Sequence, residues 1–188
     1  MPTIYTIIAY WSWIVLFIVW LPGYFTGKRT IQRPNPVRRV VAMLFIIAAF
    51  IFLFSNQAQS TAIQITPQTV GFGIAGLMID LFFVGFAIWA RVTLGKNWSN
   101  AIALKEGHEL VQRGPYAIVR HPIYTGMLFA VLGVALTLGS LSGYIAVVLF
   151  LVGVLIRIRD EDALMARQFP SEHAAYRART KALVPFVW

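Results

Sequence analysis

GKNWSNAIALKEGHELVQRGPYAIVRHPIYTG, residues 95–126, is the long polar break in an otherwise apolar chain, and its reading decides the fold. In a protein that is 59% hydrophobic and only 12% charged, donors and rings this concentrated need a polar object to bind. On both sides the chain turns apolar, in runs of about the roughly 20 residues that span a bilayer. Outward from the break, five such segments stand out, at 4–25, 40–54, 70–92, 123–138 and 141–156. The second, fourth and fifth are near the lower limit of about 17 residues, so they must borrow flanking residues or thin the bilayer locally. With 188 residues and a mean hydropathy of +0.71, the chain reads as one all-α, polytopic membrane domain with five transmembrane helices. Residues 1–92 form a three-helix N-terminal part and residues 93–188 a cofactor-binding part. The first segment lacks the basic n-region of a secretory signal and is expected to stay in the mature chain.

Net charge +9 would point to nucleic acid in a soluble chain, but the placement of the basic residues points elsewhere. Lys28, Arg29, Arg33, Arg38 and Arg39 fall in the first loop, and Arg91, Lys96, Lys105, Arg113 and Arg120 in the third. Arg157, Arg159, Arg167, Arg177, Arg179 and Lys181 follow the last segment. With five crossings all 16 lie on one side, which the positive-inside rule makes cytoplasmic. The N-terminus is then outside, the loop 93–121 is cytosolic, and nucleic-acid binding is excluded. Absence of cysteine removes disulfides, thiolate metal ligands and a cysteine nucleophile. The three histidines, His108, His121 and His173, are too widely spaced to read as a metal site.

Inside a bilayer, packing holds helices together, and small residues at helical spacing mark contacting faces. Gly126, Ala130, Gly133 and Thr137 form such a stripe on the fourth segment, and Ser142, Ala146 and Gly153 on the fifth. The turn between these segments is short, so the two are expected to pair closely. Asp80, in the middle of the third segment, must face the bundle interior with a partner, either for structure or along a substrate path.

Proline and glycine fix the geometry of the polar loop. Pro122 suits the first turn of a helix and pushes His121 out of it, placing His121 at the N-cap. The free amides of that first turn favour a carboxylate or phosphate, with Arg120 to reinforce them and Tyr124 one turn on. Gly114-Pro115 is a separate turn that brings Tyr116 toward the same helix end. His108, Glu109, Leu110 and Val111 offer a polar and apolar edge for a flat base. Taken singly, His121 also reads as a plain capping residue and the tyrosines as an interfacial belt. After the last crossing, Arg157 is expected to open a helix in which Ile158, Met165, Phe169 and Tyr176 share an apolar face, with a break at Pro170. Arg157 and Glu161, four apart, share a face of that helix. These amphipathic C-terminal helices are expected to lie along the membrane or cap the loop, completing the cofactor site.

The pieces H-x-L-V, G-P-Y, R-H-P-x-Y-x-G and R-x-x-x-E-[DE], followed by F and Y, resemble the isoprenylcysteine carboxyl methyltransferase family, with phospholipid methyltransferases as more distant relatives. The likeness covers about residues 95–176. It implies an integral-membrane enzyme that uses S-adenosyl-L-methionine without a Rossmann domain. Carried over by position, it assigns His108, Leu110, Val111, Tyr116, His121, Pro122, Ile123, Tyr124 and Glu161 to cofactor binding, and Arg157 to the substrate carboxylate. Arg157 and Glu161 are then the catalytic pair, with no metal. The chain departs from the family pattern at Asp162, where glutamate is usual, at Pro170, where glycine is usual, and at His173, where tyrosine is usual.

A carboxylate is already ionised at neutral pH, so its methylation needs orientation and no general base. The expected reaction is carboxyl O-methylation of an isoprenylcysteine-type substrate that enters from the bilayer among membrane lipids. Methylation of a lipid amine or a small thiol is the alternative, and the amine would need a base such as Glu161 or His108. An NADPH-dependent membrane reductase and a scaffold that binds anionic lipid head groups are the readings from other classes.

Overall fold

The computed structural model describes residues 3–26, 30–32, 35–55, 63–95, 104–105, 110–185 and 187. Its long helices are α1 (Ile4–Thr26), α2 (Pro36–Phe54), α3 (Val70–Leu94), α5 (Pro122–Leu138) and α6 (Leu141–Gln168). The short α4 (Pro115–Ile118) precedes α5, and α7 (Pro170–Arg179) follows α6. Each start has a local cause. Asn35 accepts from the Val37 amide at 2.9 Å, Thr69 from Phe72 at 3.4 Å and Ser140 from Gly143 at 3.4 Å, each satisfying an orphan donor of a first turn.

Four of the helices are long and apolar enough to cross a membrane, and α5, at 17 residues, is a shorter apolar helix. Their outer faces are as apolar as their inner ones. On α1, Trp11, Ile14, Val15, Phe17 and Ile18 are exposed while Ala9, Trp13 and Leu16 are buried. An apolar surface that extensive on a soluble monomer would aggregate; against lipid tails it is the solvated face. The protein is a multi-pass membrane protein.

The expected run at 141–156 ends where the sequence turns polar, yet the helix does not. α6 continues unbroken through Arg157 and Glu161 to Gln168, so these residues extend the last long helix and do not open a new one. Nothing in 157–168 breaks a helix, and Phe169 is the junction at which Pro170 starts α7. The all-α expectation is modified by one small antiparallel ladder, Thr30–Gln32 (β1) with Leu104–Lys105 (β2). It joins the first and third polar loops.

The expected close pairing of α5 with α6 needs correction in its detail. The Gly126, Ala130, Gly133, Thr137 stripe packs mainly on α3. A Cβ built on Gly133 would lie 2.5 Å from the Asp80 nitrogen, and one on Gly126 would lie 2.7 Å from the Ala87 Cβ. Backbones so close leave no room for any side chain. On α6, Gly143 does meet Ala135 of α5, but Gly153 meets Ala42 and Ile46 of α2. The bundle is therefore α1 on α3, α3 on α5, α5 on α6 and α6 on α2.

Asp80 is fully buried and binds two residues of α1. Its Oδ2 accepts from the Ser12 hydroxyl at 2.6 Å and its Oδ1 from the Trp13 indole at 3.0 Å. Both bonds are structural ties between α1 and α3.

At one end of the bundle, residues 63–69 close over the α5–α6 turn. The Gln64 and Gln68 side chains donate to the Leu138 carbonyl at 3.1 Å each, and the Ile65 and Thr66 amides donate to Gly139. Gly139, at φ 65°, takes the left-handed turn that this sharp return requires. The opposite end carries the loop ladder, the start of α5 and the polar half of α6, and Arg38 at the start of α2 pairs with Asp160 of α6 at 3.0 Å.

Candidate active site

Three elements converge at the ladder end: the 110–121 segment, the polar half of α6, and α7 with the returning tail. Gly114, at φ 60°, reverses the chain so that Pro115 can begin α4. Tyr116 and Val119 thereby become buried. The tail then runs beside the segment: Lys181 and Ala182 carbonyls accept from the Arg120 and His121 amides at 2.8 and 3.0 Å, and the Thr125 hydroxyl donates to Leu183 at 2.8 Å. Tyr176 of α7 donates to the Tyr116 carbonyl at 2.5 Å. The start of α5 is thus clamped from behind by the C-terminal tail.

His121 occupies the N-cap of α5, held out of the helical region at φ −121° and ψ 59°, and no side chain caps the first turn. Its ring lies between two carboxylates, with Nδ1 3.3 Å from Glu161 Oε2 and Nε2 3.0 Å from Asp162 Oδ1. Burial opposes the charged imidazolium, but the hydrogen bonds and charges of Asp162 and Glu161 outweigh it and push the pKa up to about 9. Burial, reinforced by Glu161, also pushes the Tyr116 phenol well above its usual value.

Tyr124 stands one turn along α5. Its hydroxyl donates to Glu161 and accepts from Arg157 Nε at 2.8 Å, and the Arg157 guanidinium lies 5.7 Å from the centre of its ring. The result is one chain of bonds: Arg157 to Tyr124, Tyr124 to Glu161, Glu161 to His121, and His121 to Asp162. Asp162 also receives Arg120 at 3.3 Å and His173 at 3.4 Å. A guanidinium, a phenol, an imidazolium and two carboxylates held in fixed order can orient a charged ligand; among the described residues no three His, Asp or Glu side chains are arranged to hold a metal ion.

Of the residues picked out by sequence, the structure brings Tyr116, His121, Pro122, Tyr124, Arg157 and Glu161 to this one end. Ile123 lies half-buried beside them on the first turn of α5. Leu110 and Val111 are half-buried in the segment that leads into the Gly114 turn. His108 lies outside the described residues. Sequence reading missed the role of Asp162, which appeared only as a departure from the family pattern. In space that departure meets another one, His173, and the histidine reaches the shorter aspartate side chain.

A family profile for the isoprenylcysteine carboxyl methyltransferase (ICMT) family matches residues 76–167. The chain is 34% identical over 119 residues to the cobalt-zinc-cadmium resistance protein CzcN of Cupriavidus metallidurans, covering 61% of this chain and 52% of that protein. It is 31% identical over 165 residues to the uncharacterized protein YpbQ of Bacillus subtilis, covering 81% and 94%. It is 32% identical over 101 residues to a protein-S-isoprenylcysteine O-methyltransferase of Schizosaccharomyces pombe, covering 52% and 43%. The chain thus spans about half the length of the first and third of these relatives. Among solved structures, the eukaryotic intramembrane Ras methyltransferase ICMT shares the fold, with a TM-score of 0.55 at 20% identity over 84% of this chain and 55% of that one. With its bilayer-length helices, its polar cluster on the start of α5 and these matches, the chain belongs to the isoprenylcysteine carboxyl methyltransferase family.

Proposed function

We propose that this protein methylates the carboxylate of a lipophilic, isoprenylcysteine-type substrate, with S-adenosyl-L-methionine as donor. The bond from Arg157 to Tyr124, and from Tyr124 to Glu161, carries this reading. It couples the proposed substrate contact to the proposed cofactor contact through one phenol.

The residues fit the cofactor on the chemistry of their donors. The uncapped first turn of α5, started by Pro122, offers the Ile123 and Tyr124 amides to a carboxylate. Glu161 offers a negative charge to an ammonium or a sulfonium, and Tyr116, Leu110 and Val111 offer flat and apolar surface. His108 would complete the set by analogy with the family. Bound there, the cofactor supplies an electrophilic methyl group on a cationic sulfur.

Arg157 then has one task, orientation. Its Nε is committed to Tyr124, which fixes the plane of the guanidinium, and a planar fork so fixed presents a carboxylate in a defined direction. The substrate carboxylate is ionised at neutral pH and needs no base. Opposite charges neutralise as the methyl moves, so the buried surroundings of His121 and Tyr116 favour the reaction by excluding water. Because the bundle wall is apolar, a lipophilic substrate can reach this end from the bilayer. By the positive-inside rule this end, with the third loop and the tail, faces the cytosol and the N-terminus lies outside.

The experiment is transfer of labelled methyl from S-adenosyl-L-methionine to a panel of lipophilic carboxylates, amines and thiols. A base-labile methyl ester on the isoprenylcysteine-type carboxylate is expected, and Arg157→Ala should abolish it. Label on an amine or thiol alone would overturn the acceptor. A rise in melting temperature with NADPH but none with S-adenosylhomocysteine would overturn methyl transfer itself.

A further inference from the structure

A cleft lies on the side of α6 away from Arg157 and Glu161. At about 100° per residue, Arg159, Ala163 and Ala166 sit roughly opposite Arg157 and Glu161 on the helix. The cleft holds about 520 Å³, open on one side, between this face of α6, Arg177 of α7 and the tail residues Lys181, Ala182 and Val187. That is within the usual range of about 300–1,000 Å³ for small-ligand sites.

Four cations line it, Arg120, Arg159, Arg177 and Lys181, against one acid, Asp162. Asp162 is already engaged by Arg120, His121 and His173. Among the described residues, no carboxylate pairs with Arg159, Arg177 or Lys181. Arg120 is the buried floor, its side chain only 8% exposed. Its terminal nitrogens bind Thr180 and Asp162, but its buried Nε has no hydrogen-bond partner. A buried donor left unpaired and three mutually repelling cations around one cavity are both costly in isolation. An anion in the cleft relieves the repulsion among Arg159, Arg177 and Lys181.

The position of the cleft says which anion. The apolar run of α6 ends at Ile156, and the cleft begins at Ile158, the level of bilayer head groups. Its remaining wall is apolar, made by Ile158, Ala163, Ala166, Ala182 and Val187. A free phosphate has no use for that wall, whereas the glycerol and upper acyl chains of a phospholipid cover it. We infer that this cleft binds the phosphate of an anionic glycerophospholipid through Arg159, Arg177 and Lys181. The three cations that hold the phosphate are none of the proposed cofactor or substrate contacts, although Asp162 and Arg120 stand between the two sites, so the lipid site stands whether or not methyl transfer does.

The test uses the full chain in neutral detergent, titrated with dioctanoyl phosphatidylglycerol, dioctanoyl phosphatidylcholine or inorganic phosphate, with calorimetry and melting temperature as readouts. Phosphatidylglycerol is expected to bind and to raise the melting temperature at concentrations where the other two do not. The Arg159→Gln/Arg177→Gln double variant should weaken that binding on the order of tenfold or more, with the unliganded melting temperature equal to or above that of the wild type because repulsion is removed. If the double variant does not fold, Lys181→Gln, whose side chain is exposed, should show a smaller loss in the same direction. Equal binding of phosphatidylcholine, or undiminished binding by the variants, would overturn the site. Inorganic phosphate that binds as tightly and competes would overturn the lipid and assign a soluble anion.

Discussion

Arg157 Nε donates to the Tyr124 hydroxyl at 2.8 Å, and that bond joins the polar half of α6 to the first turn of α5. The same hydroxyl passes the contact on to Glu161. Tyr124→Phe deletes both bonds at almost no change in volume. Its expected effect is a fall in kcat on the order of ten- to a hundredfold, because the guanidinium and carboxylate lose their common anchor. Melting temperature should fall as well, since both lost partners are charged groups, whose hydrogen bonds contribute about 1.5–3 kcal/mol each. Steady-state kinetics beside a thermal melt separates the two effects, and unchanged kcat would remove Tyr124 from the site.

His121 gives a pH dependence of definite sign. Its folded pKa, about 9, is above its value of about 6.5 when unfolded. The folded state therefore binds the proton more tightly, and the stabilisation is complete below about pH 6.5. It fades as pH rises and is lost once pH passes through about 9. The magnitude is on the order of 1–3 kcal/mol. Melting temperatures of wild type and His121→Gln, measured from pH 6 to pH 10, should converge toward the alkaline end. A constant gap would show that the imidazolium does not carry the effect.

Asp80 ties α1 to α3 through Ser12 and Trp13. Asp80→Ala leaves the Trp13 indole without a partner in an apolar interior, at a cost of about 1–3 kcal/mol, while the Ser12 hydroxyl keeps the Ala9 carbonyl at 2.7 Å. The expected outcome is a lower melting temperature with activity per folded molecule unchanged, because the tie lies among packed helices well away from Tyr124 in sequence and in contacts. A selective loss of activity at full stability would move Asp80 to the substrate path.

Gly133 meets the Asp80 nitrogen and the Gly76 carbonyl, both backbone atoms, at 2.5 and 2.6 Å from where a Cβ would sit. Backbone cannot rotate aside, so Gly133→Ala must push α3 from α5 and should cost about 1–3 kcal/mol. Gly85, with nothing near its would-be Cβ, is the internal control. Gly85→Ala should be neutral or mildly stabilising in the same melt.

The start of α5 could be read from Pro122 because proline dictates backbone geometry within one residue of itself. The break at Pro170 follows from the same rule. The end of α6 could not be read that way. The switch from apolar to polar at Arg157 changes what surrounds the helix and leaves its hydrogen bonding untouched, so hydropathy gave a boundary where the backbone has none. Small residues on α5 could be recognised as a packing face, but the choice of α3 as partner depends on how all the helices share space.

From sequence alone came the number of apolar segments, the clustering of every basic residue in alternate loops, and part of the polar set around His121, namely Arg120, Tyr124 and Glu161, because composition and turn chemistry are local. The tertiary structure alone decided that Asp162 bridges Arg120, His121 and His173, that the tail returns to clamp residues 119–121, and that Arg159 shares a cleft with Arg177 and Lys181. Most of those relations join residues about 40–60 positions apart, as with His121 and Asp162 or Arg120 and Lys181, and only the packing of the helices brings them together.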